Sequence, residues 1–213
     1  MSSLREKLEK VFAFFRPENL ARQIIKYEGG VALLAIDVQK EFCDPKGGRG
    51  NAETAEISKR IQSLVPEFRK AGIPVYVVYF GSKKKNAADI DFYEFAPQAD
   101  DVLVAKNDDS AFQGSNIKEL LQKNKKKLLL TCGFNLSACV MSTVMDAITE
   151  GFEVCLLRDL TGNDNSPGNQ KNIRRHLKHM RNKGVTIEQS GKVLELLCAK
   201  KNAPTVPLNE LKA

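Results

Sequence analysis

The chain has 213 residues, of which 42% are hydrophobic and 28% charged, and its formal net charge is +7. A chain of this length and composition can bury one sizeable core, which excludes a small scaffold that depends on disulfides. The five cysteines are scattered and odd in number, which predicts free thiols in a reducing compartment. We therefore expect a cytoplasmic protein.

Two classes of partner are disfavoured by the charge and hydropathy patterns. No segment approaches the roughly 20 apolar residues of a transmembrane helix, and the charged N-terminal segment lacks the cleavage site of a secretory signal. The chain is locally basic in the runs Lys83–Lys85, Lys123–Lys127 and Arg174–Arg181; the first follows a predicted strand and the second leads into one, which indicates solvated ends of elements rather than one binding surface. We expect no membrane and no nucleic acid among the partners.

In chain order, the first predicted unit is a helical prefix over residues 1–30. Apolar residues recur there at helical spacing in two segments, the second of which is Glu18–Tyr27. Residues 31–199 form the predicted globular domain. Residues 200–213 contain two prolines, and we expect an irregular tail there.

Within the domain, apolar runs without polar alternation are separated by helical patterns. This arrangement is typical of parallel strands that are covered on both faces. Right-handed crossovers then predict a three-layer α/β/α fold around a doubly wound, six-stranded, mostly parallel sheet. The predicted strands are Val31–Asp37, Pro74–Phe80, Val102–Ala105, Lys127–Cys132, Glu153–Arg158 and Val185–Glu188. The predicted helices are Thr54–Ala71, Ser115–Asn124, Leu136–Glu150, Gln170–Asn182 and Gly191–Ala199.

Three reactive or charged side chains lie at the ends of these strands. Asp37 ends the first strand, Lys106 follows the third, and Cys139 lies in the turn and helix that follow the fourth. Ligands of open α/β sheets bind at the carboxyl ends of the strands. A thiol, a carboxylate and an ammonium group at this edge are the groups that a cysteine hydrolase needs. We also expect the helix start to lower the pKa of the Cys139 thiol.

The residues around these positions resemble the isochorismatase-like cysteine hydrolases. The likeness rests on the first strand with Asp37-Val38-Gln39, on Lys106 followed by Ser110-Ala111-Phe112, and on the turn Gly133–Cys139. It extends from about Val31 to Leu197, in the family's order and spacing.

The resemblance implies a catalytic triad of Asp37, Lys106 and Cys139. Asp37 would take the thiol proton, Cys139 would form an acyl-enzyme with an amide-type carbonyl, and Lys106 would orient Asp37. The family pattern also implies a cis peptide between Phe134 and Asn135, and the N–H groups of Asn135 and Cys139 become candidates for an oxyanion hole. Assembly into a homo-oligomer is implied in the same way.

Four further residues are candidates for the wall of a small-molecule site. Gln39 and Phe42 follow the first strand, and Phe112 and Phe134 flank the lysine and cysteine segments. We expect these side chains to shape the substrate pocket rather than to perform chemistry.

The resemblance does not extend to the metal site of the nicotinamidase branch, which uses an aspartate and histidines after the second strand. The loop Gly81–Asp100 contains Asp89 and Asp91 but no histidine, and two carboxylates alone suit a transition metal poorly. The only histidines, His176 and His179, lie in a basic helical pattern. We expect no metal and no other cofactor.

Three functions remain open. The favoured one is a metal-independent hydrolase of a small amide, urea or carbamate. The second is a vinyl-ether hydrolase of the isochorismatase type, in which acid catalysis by Asp37 suffices. The third is a catalytically silent binding or scaffold protein, since Asn135 and Leu136 depart from the family's usual residues in the nucleophile turn.

Overall fold

A computed structural model describes residues 17–27, 29–81, 90–164 and 167–202 of the chain. Several predicted features lie outside the described residues. These are the first helix of the prefix, the basic run Lys83–Lys85, Asp89 and the tail beyond Asn202.

Six parallel strands form one sheet, as the sequence predicts. The strands are β1 Val31–Ile36, β2 Val75–Phe80, β3 Val102–Lys106, β4 Leu128–Gly133, β5 Glu153–Thr161 and β6 Thr186–Glu188. Their order is β3-β2-β1-β4-β5-β6, and each neighbouring pair is parallel. The winding direction therefore reverses between β1 and β4, which is where open α/β sheets place their ligands.

Helices cover both faces of this sheet. They are α1 Pro17–Lys26, α2 Lys40–Cys43, α3 Ala52–Lys70, α4 Ile117–Lys123, α5 Met141–Thr149, α6 Pro167–Asn182 and α7 Ser190–Asn202. Buried side chains of α1, α3 and α7 share one core cluster, whereas those of α4, α5 and α6 share the cluster on the opposite face. The three-layer prediction is confirmed.

The central strand β1 shows why the strand sequences are uninterrupted apolar runs. All six of its residues are buried. Leu33 and Ala35 belong to one core cluster, and Leu34 and Ile36 to the other, because successive side chains of a strand point to opposite faces.

Two helix predictions need correction. The helix predicted over Leu136–Glu150 begins as a π-helical turn, Leu136–Val140, and becomes α-helical only at Met141. The one-turn helix α2 was not predicted, because four residues are too few to show a helical period.

The second helix of the prefix belongs to the core of the domain. In α1, Leu20 and Ile24 are buried in the same cluster as β1 and α3. The Tyr27 hydroxyl donates a hydrogen bond to Glu153 at the start of β5, at 2.5 Å. Within the described part of the chain, no helix is both long and apolar enough to cross a membrane.

Candidate active site

Asp37 and Lys106 form a fully buried ion pair across the sheet edge. The Lys106 Nζ lies 2.8 Å from Asp37 Oδ2, and neither side chain is exposed. Lys106 comes from the end of β3, two strands away from β1, so its side chain crosses the end of β2. There its Nζ lies 4.7 Å from the centre of the Phe80 ring and donates to the Asp108 carbonyl at 3.1 Å.

The turn Gly133–Cys139 begins at the end of β4, next to Asp37. Gly133 has a φ of 115°, and a cis peptide bond joins Phe134 to Asn135, as the family resemblance implies. The N–H groups of Ala138 and Val140 both donate to the Asn135 carbonyl at 3.0 Å. The Val140 bond spans five residues, which is the π-helical pattern, and it encloses Cys139.

The Cys139 thiol lies between two carboxylates. It donates to Asp109 Oδ1 at 3.7 Å and is also within hydrogen-bonding reach of Asp37. Burial, and next the negative charge of Asp37, raise the pKa of this thiol to about 12, although Lys106 opposes the shift. The expectation of a lowered pKa was therefore wrong. The sequence shows a helix start, but it does not show the burial and the carboxylates, which outweigh it.

The pKa of the Asp37 carboxyl is raised towards neutral pH, which suits a general base. Burial raises its pKa to about 6, while the positive charge of Lys106 and the nearby Cys139 thiol hold it down. The Lys106 contact is a close ion pair rather than a well-aligned hydrogen bond, since neither Asp37 oxygen has a hydrogen-bond partner of good geometry among the described residues. At pH 7 the resting pair is thus a mostly ionised Asp37 beside a protonated thiol.

The side chains of Gln39 and Phe42 lie in different surroundings: Gln39 bonds to the end of β2, and Phe42 lies in the core. The Gln39 side chain closes a double hydrogen bond with Phe80, accepting from its N–H at 2.7 Å and donating to its carbonyl at 3.2 Å. Gln39 therefore holds β2 against the end of β1. Phe42 is buried in the core cluster under α3, with the guanidinium of Arg49 at 5.7 Å from its ring.

Phe134 and Phe112 also take separate positions. Phe134 is fully buried, on the face of the sheet that α3 covers. Phe112 is partly buried on the opposite face, where its ring packs at 5.7 Å from that of Phe152. Whether any of the four wall candidates touches a substrate stays a prediction.

Two buried residues that the sequence analysis did not single out hold the nucleophile turn. Asn163 Oδ1 accepts from both the N–H and the hydroxyl of Ser137, each at 3.0 Å. Asp164 accepts from Asn135 Nδ2 at 3.1 Å, and its own N–H donates to Asn135 Oδ1 at 2.8 Å. Both residues follow the carboxyl end of β5. The expectation that ligands bind at the carboxyl ends of the strands could therefore have drawn attention to them as well.

A shallow groove of about 540 Å³ lies beside the site at the surface, and Cys139 itself is not among its lining residues. Asp109 lines the groove and also contacts Cys139, and Phe80 lines it above the Lys106 ammonium group. The other lining residues are Asn107, Asp108, Ser110, Gln113, Ser142 and Asp146. Among the residues that the structure describes, no group of three or more His, Cys, Asp or Glu side chains is arranged to hold a metal ion.

A doubly wound parallel sheet with ionisable groups gathered at its switch point is an architecture that binds small molecules there. The model of the isochorismatase domain matches residues 31–189. The chain belongs to the isochorismatase family of hydrolases.

Characterised relatives share the family at low identity. N-carbamoylsarcosine amidase of Arthrobacter is 24% identical over 92% of this chain and 81% of its own length. A secreted isochorismatase effector of Verticillium dahliae is 28% identical over 64% of this chain and 74% of its own length. Among solved structures, a cysteine hydrolase from Pseudomonas syringae pv. phaseolicola superposes with a TM-score of 0.71 and 23% identity, covering 80% of this chain and 93% of that one.

Proposed function

We propose that this hydrolase cleaves the C–N bond of a small amide, urea or carbamate through an acyl-enzyme on Cys139, with Asp37 and Lys106 as partners and without a metal. The observation that supports it best is the contact between the thiol and the buried Asp37–Lys106 pair. An amidase activity is also what the name of the Arthrobacter relative states for that protein.

In the first half of the proposed reaction, Asp37 takes the proton of the Cys139 thiol. The large gap between their pKa values, about 6 against about 12, keeps the thiol protonated while the enzyme is at rest. Proton transfer must therefore accompany attack of the sulfur on the carbonyl carbon, when the negative charge moves on to the carbonyl oxygen. The N–H groups of Asn135 and Cys139 are our candidates to stabilise that oxygen.

In the second half, the tetrahedral intermediate collapses and the C–N bond breaks. Asp37 returns its proton to the leaving nitrogen, so that ammonia or an amine departs as a neutral molecule. Asp37 is then ionised again and takes a proton from a water molecule, whose oxygen attacks the thioester carbon. The C–S bond breaks, Asp37 returns the proton to the Cys139 sulfur, and the carboxylic or carbamic acid leaves. Lys106 holds Asp37 in place and offsets its charge throughout.

The first test measures ammonia release from a panel of small amides, ureas and N-carbamoyl compounds. We expect Cys139→Ala to lower turnover of an accepted substrate on the order of a thousandfold or more, since the nucleophile is lost. Cys198→Ala, which removes an exposed thiol, is the matched control and should retain full activity. A Cys139→Ala variant that remains active while Asp37→Asn is inactive would instead support the vinyl-ether hydrolase. If neither change matters, the protein is a binding protein.

The second test is the pH dependence of kcat/KM. Asp37 acts as the base only when ionised, and its pKa is raised to about 6, so activity should rise between pH 5 and pH 7 and then level off. The midpoint should lie about 2 pH units above that of an ordinary aspartate. A profile that is flat from pH 5 upward, or one whose midpoint is near pH 4, would contradict Asp37 as the base.

A further inference from the structure

The groove beside the site, which shares Asp109 with the surroundings of Cys139, is acidic, although the chain as a whole is basic. Asp108, Asp109 and Asp146 all line it, and its lining contains no basic side chain among the described residues. Asp146 accepts a hydrogen bond from Gln113 at 2.9 Å. Asp109 is exposed and forms no ion pair with any described residue.

Asp109 differs from the other two acids because it reaches the reactive atom. Its Oδ1 is the acceptor 3.7 Å from the Cys139 sulfur. Behind the sulfur, the charges of Asp37 and Lys106 balance each other as a buried pair. A substrate that approaches the sulfur through the groove therefore meets the negative charge of Asp109 first.

We propose that Asp109 determines substrate specificity, by favouring amides that carry a positive charge next to the scissile carbonyl and by excluding those that carry a carboxylate there. This inference rests on the proposed function and names the substrate class of that same site. Asp109 would accept hydrogen bonds from an ammonium or guanidinium group of the substrate while the sulfur faces the carbonyl. A carboxylate in the same position would lie against the Asp109 carboxylate at close range, where like charges repel strongly.

The test uses charged alkylating reagents, so that it needs neither a known substrate nor turnover. The full chain is treated at pH 8.5 with 2-bromoethylammonium, iodoacetamide or iodoacetate, and labelling of Cys139 and Cys198 is followed by peptide mass spectrometry. In each case the thiolate sulfur displaces the halide; the three reagents differ in charge and also in intrinsic reactivity. Cys198 is exposed on α7 and serves as the internal reference for the intrinsic rate of each reagent.

In the wild type, Cys139 should prefer the cationic reagent to the anionic one, relative to Cys198. Asp109→Asn should reduce that preference on the order of tenfold, while Asp100→Asn, which removes an exposed charge before the start of β3 at the opposite edge of the sheet, should leave it nearly unchanged. The ratio is informative because Asp109 also affects the overall reactivity of the thiol, and that effect cancels when reagents are compared on one variant.

Two outcomes would overturn the proposal. One is an equal preference in the wild type and in Asp109→Asn. The other is a wild-type Cys139 that reacts faster with iodoacetate than with 2-bromoethylammonium, relative to Cys198. Loss of the proposed amidase function would show up separately, as ammonia release that is indifferent to Cys139→Ala, and it would leave the charge preference of the thiol intact.

Discussion

Replacing Lys106 with methionine is expected to lower the free energy of unfolding by about 3–5 kcal/mol and to remove turnover. The change leaves the Asp37 carboxylate fully buried without the ammonium group that lies 2.8 Å from it, and an uncompensated buried charge is among the most damaging single defects. Since a domain of this kind is stable by only about 5–15 kcal/mol, urea denaturation should show the loss clearly.

The penalty should depend on pH in a defined direction. Lys106 holds the pKa of Asp37 down, so the variant should bind the Asp37 proton more tightly than the wild type does. A carboxyl whose pKa is higher in the folded state stabilises the fold when protonated, and this contribution disappears as the pH rises through the folded-state pKa. The difference between variant and wild type should therefore be smaller at pH 5 than at pH 8.

Lys118→Met is a suitable control, because Lys118 pairs with Glu150 at the surface, where ion pairs contribute about 0–1 kcal/mol. The double variant Asp37→Leu with Lys106→Met should regain much of the lost stability but no activity, since it removes both charges together. A penalty for Lys106→Met that equals that of Lys118→Met, or one that does not change between pH 5 and pH 8, would mean that the pair is not coupled as described.

The position of the Asp37–Lys106 pair illustrates what sequence alone predicts well. Uninterrupted apolar runs identify the strands, and the parallel α/β pattern places the ends of those strands at one edge. Asp37 and Lys106 were therefore expected to lie near each other. That they form a dry ion pair was not predictable, because burial depends on how Phe80 and the neighbouring loops pack over them.

The surroundings of Cys139 illustrate the opposite case. The pKa of its thiol was predicted to be lowered, whereas it is raised. The prediction was wrong because the effect of a helix start was the only contribution visible in the sequence. Asp109 was passed over because it is one of two adjacent aspartates in a loop, and nothing in the sequence tells which of them turns towards the thiol. Asn163 was missed although it follows a strand. It holds the turn by accepting hydrogen bonds from the N–H and the hydroxyl of Ser137, which lies 26 residues away in the chain, and the sequence does not show that contact.

Substituting Gly133→Ala is expected to prevent folding or to cost more than about 4 kcal/mol. A Cβ atom at this position would lie 1.9 Å from the Ile36 carbonyl oxygen, and the φ of 115° is itself unfavourable for alanine. Ile36 cannot move away, because its carbonyl accepts the Phe134 N–H at 2.9 Å and its strand pairs with β4 along six residues. Ile36 also precedes Asp37, so any shift would move Asp37 away from the turn Gly133–Cys139.

Alanine substitutions at two other glycines distinguish the steric cause of this loss of stability from the cost of a positive φ. Gly151 has a φ of 83° but no atom within 4 Å of a Cβ, so Gly151→Ala should show only the backbone cost of about 1–2 kcal/mol. Gly191 lies near the start of α7 with open space and no positive φ, so Gly191→Ala should be neutral or slightly stabilising. Soluble yield and the urea midpoint rank the three variants. A Gly133→Ala protein as stable as Gly151→Ala would show that the two strand ends do not approach as closely as the site requires, since only that contact distinguishes the two positions.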